Sequence, residues 1–223
     1  MAFYAKPDYG YSINSDAGRN NIVEITKYLT NNGYSKDSIT GIIGNIYEES
    51  GLNPWYWENH LVNYNNGYGL FQYTPALQYI NASGIPNHAP NLSTSTTTAG
   101  ASPEDAKGQL YCFVSDTFDK WYPLLWRTYW DSSEYPALYT QAQNILTTYG
   151  NGSSLTMAQF KAIDNYADAV LAFLGCFEGP TVPDYSERLA AATLAKPIVD
   201  SYAGYFDILF MKKIIDGQRK SII

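Results

Sequence analysis

Between Ser35 and Pro54 the chain carries an apolar stripe at helical spacing that ends in a carboxylate. Ile39, Ile42, Ile46 and Glu49 stand at i, i+3, i+7 and i+10, one face of an α-helix. Ser35 supplies the N-cap and Asp37 an acid in the first turn, and Ser50–Gly51 before Asn53–Pro54 closes the segment. Glu48 falls with Gly41, Gly44 and Asn45 on the opposite side. An acid on an inward face costs stability unless it is paired or used. Near a helix C-terminus, the macrodipole and desolvation both favour the protonated carboxyl, as a general acid requires. The other reading of Glu49 is a carboxylate paired with an arginine or acting as a local cap. The residues alone weigh the two evenly.

Helical signals continue along the chain. Asn20–Asn32 carries Ile22, Ile25 and Leu29 and stops at Gly33. Thr74–Pro75 opens a short helix through Ile80, and Ser102–Pro103–Glu104–Asp105 opens one expected to reach Trp121. Further helices are expected at 136–149, 156–163 and 165–178, then from Asp184 with an interruption at Pro197. Residues 52–73 are rich in Trp, Tyr, Asn and Gly and read as an irregular or hairpin-like segment, and 91–99 as a surface Ser/Thr tract. The expectation is a mainly α domain over 1–195, followed by an apolar and basic segment over 196–223.

Composition excludes several classes. Net charge is −7 with 16% charged residues, so nucleic acid is not expected as a partner. Aromatics also reach 16%, and 21 of them are tyrosine, which suits a neutral, hydroxyl-rich ligand such as a glycan. His60 and His88 are the two histidines, without acids or cysteines at metal spacing, so no metal and no cofactor are expected. Cys112 and Cys176 fall in apolar helical stretches, which reads as two buried thiols, with a single bridge between them as the alternative, and argues against a cysteine peptidase using His60 or His88. The N-terminus lacks a signal-peptide pattern, and no apolar run is long enough to span a bilayer. Membrane contact is not expected.

The stretch GNIYEESGLNP, followed by Gly67–Thr74 (GYGLFQYT), resembles the phage tail lysozyme family, related in fold to goose-type lysozymes and soluble lytic transglycosylases. A third element, Phe177–Glu178–Gly179–Pro180 followed by Ser186–Glu187–Arg188, resembles that family's later aromatic-Glu-x-Pro and Glu-Arg signature. The three occur in the family's order over residues 20–192. The resemblance implies a lysozyme-like fold and a phage enzyme that cleaves the β-1,4 bond between N-acetylmuramic acid and N-acetylglucosamine in peptidoglycan. Glu49 takes the position of the catalytic acid. Gln72 is expected to contact the sugar through its donor and acceptor, and Tyr68, Phe71, Tyr73 and Trp57 to offer rings to the glycan or to the core. Glu178, closing an apolar helix, is expected near the cleft, either on substrate or hydrogen-bonded to the Glu49 helix or to Arg188.

Hydrolysis needs a second acid, and Glu58 is the one other acid between Glu49 and Gln72. Without one, the pattern fits a lytic transglycosylase. A non-catalytic glycan-binding tail module is the remaining alternative. From Met211 on, Lys212, Lys213, Arg219 and Lys220 stand against Asp216, after the apolar run YFDILF. This segment reads as a last helix on the core or a docking segment for a phage tail protein. Polyanionic walls give an acidic enzyme no long-range attraction, and the length leaves no room for a wall-binding domain. The expected location is therefore the virion tail, with the host cytoplasm and then the cell wall as the endolysin alternative.

Overall fold

The computed structural model describes residues 2–7, 9–86, 105–125, 133–180 and 182–220, with the backbone alone for 203–220. Its helices are α1 (Asp16–Asn31), α2 (Lys36–Ser50), α3 (Ala76–Ile80), α4 (Asp105–Val114), α5 (Pro136–Thr148), α6 (Met157–Lys161), α7 (Tyr166–Phe173) and α8 (Tyr185–Lys220). The fold is mainly α and lysozyme-like. The hairpin expected near the cleft reduces, among the described residues, to one antiparallel bridge between Trp57 and Tyr68.

Helix α2 is the axis of the molecule, packed against α8, α7 and α1. Ser35 caps it by accepting from the Ser38 amide, and Gly51 closes it in the left-handed conformation. Ile39, Ile42, Ile43 and Ile46 are fully buried. The opposite side, with Gly41, Gly44 and Asn45, is buried as well. A Cβ at Gly41 would lie 2.6 Å from Ala169 of α7, and one at Gly44 would lie 2.5 Å from the Arg188 carbonyl oxygen of α8. The missing side chains let two helices approach α2 at backbone distance.

Several boundaries differ from expectation. Helix α1 begins at Asp16, four residues before Asn20, because Ser15 caps it by accepting from the Gly18 amide, and α7 ends at Phe173, where a π-helical turn takes over. Helix α4 ends at Val114 rather than Trp121, because Ser115, Asp116 and Thr117 fold the chain back on itself. The Asp116 and Thr117 amides return to the Phe113 and Cys112 carbonyls, and Asp116 adopts a positive φ. Helix α3 begins at Ala76, with Pro75 extended before it. Helix α8 runs through Pro197. The lost hydrogen bond and ring clash cost about 3 kcal/mol in a helix interior. Burial of Ala191, Ala192, Ala195 and Val199 along the same helix offsets it. The Ser/Thr tract at 91–99, His88, the start signal at 102–104 and the side chains of the basic C-terminal segment lie outside the described residues.

Behind the cleft sits an aromatic core. Phe113 contacts Phe71, Phe173 and Phe177 at ring-centroid distances of 5.1, 5.4 and 5.3 Å. This packing fixes the loop that follows α2 against the turn that follows α7.

Candidate active site

Glu49 stands in the last turn of α2. Its Oε1 accepts from Arg188 Nη2 at 2.6 Å. Arg188 is 4% exposed and is itself held on two sides: its Nε donates to Asp184 Oδ1 at 2.8 Å and its Nη1 to Asn45 Oδ1 at 3.2 Å. The ion pair thus realises the second reading of Glu49, with an arginine on α8 as partner. The carboxyl is not sealed by it. The Glu49 side chain keeps 20% of its surface and lines a cleft of about 420 Å³ together with Glu58, Phe71, Gln72, Tyr73 and Glu178.

Glu178 reaches the same cleft from a π-helical turn, Leu174–Glu178, that continues α7 and is closed by Gly179 in the left-handed region. The hydrogen bond expected from Glu178 to the Glu49 helix or to Arg188 is not formed. Its Oε1 is buried without a partner. Burial pushes this carboxyl well above the usual carboxylate range, and the neighbouring Glu49 pushes it further, against the pull of Arg188 and Lys120. Two acids therefore face one buried guanidinium. Glu58 lines the same cleft, with Oε2 accepting from the Gly67 amide at 2.8 Å.

The loop carrying Gln72 is braced from beneath. Fully buried Asp105 accepts from the Tyr68 hydroxyl at 2.9 Å, the Tyr79 hydroxyl at 2.7 Å and Gln109 Nε2 at 2.9 Å. Gln109 in turn accepts from the Leu70 amide at 2.7 Å and donates to the Pro54 carbonyl at 2.8 Å. Both ends of the loop after α2 hang on this pair. Gln72 has a positive φ of 44°, a conformation that is costly outside glycine and accumulates at working sites. Its Nε2 donates to the Gly69 and Tyr56 carbonyls, so its amide nitrogen is already engaged and Oε1 is the atom left to meet a ligand.

The structure separates the aromatic candidates. Phe71 and Tyr73 line the cleft, each 2% exposed, and the Tyr73 hydroxyl donates to the Gln109 carbonyl. Tyr68 is fully buried and Trp57 nearly so, with ring centroids 4.6 Å apart. These two belong to the loop's core, because the Tyr68 hydroxyl is tied to Asp105. Tyr56 and Lys120 line the cleft without having been singled out. Both sit in irregular segments, where no periodicity points a side chain anywhere.

Cys112 and Cys176 are buried and unbridged. Burial raises both thiols, Cys112 to about 12, so neither offers a thiolate nucleophile. Among the described residues no His, Cys, Asp or Glu group is placed to hold a metal, and no helix is long and apolar enough to cross a membrane.

The family model described as phage tail lysozyme matches residues 20–197. Morphogenesis protein 1 of Bacillus phage B103 is 43% identical over 58 residues, which is 26% of this chain and 16% of that protein. The match thus spans about a sixth of the curated relative.

Proposed function

The chain belongs to the phage tail lysozyme family, and from that premise we propose that it hydrolyses the β-1,4 bond between N-acetylmuramic acid and N-acetylglucosamine, with Glu49 as the acid that meets the glycosidic oxygen. The observation that carries this reading is the grouping of Glu49, Glu178 and Arg188 at one cleft. A carboxylate alone with an arginine would give up its proton. Burial and the neighbouring Glu49 hold the Glu178 carboxyl protonated, and its proton reaches the leaving oxygen through Glu49 as the C–O bond breaks. Water then adds to the anomeric carbon and leaves its own proton on a carboxylate. Glu58, which lines the same cleft, is the carboxyl this reading assigns to receive it, and a second acid favours hydrolysis over a transglycosylation that needs one. Gln72 Oε1 accepts from the sugar's N–H or O–H, and Phe71 and Tyr73 form the apolar floor beside it.

The same proposal places the enzyme on the phage tail, delivered to the wall by the particle, with residues 1–195 as the catalytic unit and 196–223 as the segment docked on a tail protein. Helix α8 is continuous across that junction, so the two would be joined without a hinge. The test is a digest of purified peptidoglycan by wild type and Glu49→Gln, with the soluble fragments weighed by mass spectrometry. Reducing-end muropeptides from wild type alone support the reading. Fragments lighter by one water, from anhydro-muramyl ends, would transfer it to a transglycosylase. No cleavage by either protein would overturn it.

A further inference from the structure

A second cavity of about 430 Å³ lies on the other side of Glu49, and the two cavities share Glu49 and Tyr56 in their walls. Its other walls are Tyr9, Tyr11, Tyr47, Glu48 and His60. Tyr9 and Tyr11 belong to the N-terminal segment, which precedes residue 20, where the family match begins. This wall is an addition to the matched region.

The segment is built into the protein. Phe3 and Ile13 are buried at either end of it. Asn21 Nδ2 donates to the Tyr4 carbonyl at 2.9 Å, and Asn21 Oδ1 accepts from the Tyr4 amide at 2.8 Å. Asn53 Nδ2 donates to the Lys6 and Tyr9 carbonyls, and the Tyr11 amide donates to the Gly51 carbonyl at 2.6 Å. The segment is thereby tied to the turn that ends α2, one residue beyond the Glu49–Ser50 pair. Yet the Tyr9 ring stays 66% exposed, 4.4 Å from the His60 ring. His60 Nδ1 is buried with no partner in the protein.

We infer that this cavity is a second saccharide subsite: the N-terminal strap and the Tyr47–His60 wall hold the glycan strand beyond Glu49, with Tyr9 as the ring platform. The inference rests on the proposed glycosidase reading of Glu49. Its chemistry selects the occupant. Exposed aromatic rings with polar tips suit the mixed faces of a pyranose. Of the charged groups in the wall, Glu49 is paired with Arg188 and Glu48 is the other acid, and Lys6 Nζ lies 4.6 Å over the Tyr11 ring. Rings and hydroxyls, rather than one sign of charge, therefore dominate the wall, which suits an uncharged sugar.

Calorimetric titration of the full chain with short and long uncharged oligomers of N-acetylglucosamine tests this. Wild type should bind the long oligomer more tightly than the short. In Tyr9→Ala the long oligomer should bind roughly 2- to 12-fold more weakly, the worth of one aromatic contact, with the short oligomer unaffected. Tyr9→Phe, which keeps the ring, should restore wild-type binding. Because Tyr9 is exposed, Tyr9→Ala should melt as wild type does. Unchanged long-oligomer affinity in Tyr9→Ala would overturn the subsite, as would a loss confined to binding of free stem peptide. Wild type that digests peptidoglycan but gains nothing from oligomer length would also overturn it, leaving the Glu49 reading intact. Absence of any peptidoglycan digestion would instead remove the Glu49 reading, and the subsite with it.

Discussion

Glu178→Gln should stabilise the protein at neutral pH and leave it unchanged in acid. A carboxyl whose folded-state affinity for a proton exceeds its unfolded one contributes stability that is fully present below the unfolded value. That contribution is lost as pH rises toward the folded value. Glu178 is such a group: burial is the main cause, Glu49 and Asp184 add to it, and Arg188 and Lys120 oppose it. The unfolded chain releases the proton near 4.5. Above that, each pH unit over which the folded carboxyl stays protonated lowers wild-type stability by about 1.4 kcal/mol.

Glutamine has the same shape and no proton to lose, so this slope disappears. Urea denaturation from pH 4 to pH 7 reads the difference directly. The two proteins should agree within about 1 kcal/mol at pH 4, and the variant should pull ahead as pH rises, by at most about 1.4 kcal/mol per pH unit. In melting temperature each kcal/mol of lead corresponds to roughly 2–4 °C for a chain of this size. A constant difference across the range, or a wild type that gains on the variant as pH rises, would refute the reasoning that Glu178 is held protonated. A loss of lysis at pH 6.5 alongside the gain in stability would tie the stored proton to the reaction.

Asp105→Ala should cost about 3–5 kcal/mol in urea denaturation, since three buried donors lose one acceptor; the Leu70 amide should then exchange faster with solvent, and a loss below about 1 kcal/mol would exclude the brace. Gly44→Ala places a methyl 2.5 Å from the Arg188 carbonyl oxygen and 2.8 Å from Ala192 Cβ. Overpacking of this kind costs about 1–3 kcal/mol, and lysis should fall more than stability because Arg188 moves relative to Glu49.

Much of the fold is legible because its signals are local. Ser35 accepts from the Ser38 amide three residues on, Gly51 takes the left-handed φ one residue past α2, and Thr156 with Gln159 closes a capping box. Each depends on neighbours in sequence, so α2 and α6 begin where their caps stand. The overrun of α4 has the opposite origin. Phe118 and Trp121 continue an apolar pattern, but they reach the core from irregular chain, and the turn at Ser115–Thr117 overrides the pattern. Within the site, the motif residues Glu49, Phe71, Gln72, Tyr73 and Glu178 do converge on one cleft. Tyr68 and Trp57 do not, because nothing in the sequence tells a tyrosine bound to buried Asp105, 37 positions away, from one facing a sugar.

The pairing of Arg188 with Glu49 is the feature that local reasoning reaches least well, since 139 residues separate the partners. Arg188 is identifiable as a partner for a carboxyl, but two carboxyls compete for it, and the sequence leaves an arginine open to Glu49 and Arg188 open to Glu178. What decides between them is how closely α8 lies on α2. A side chain at position 44 would hold the Arg188 backbone away from α2, and glycine there brings it in. The guanidinium then meets Asn45 and Glu49 on α2, while Glu178, arriving from the π turn, keeps Oε1 without a bond. Gly44, which periodicity alone assigns to the side away from the core, therefore sets how closely Arg188 approaches Glu49, as Gly41 sets the approach of α7.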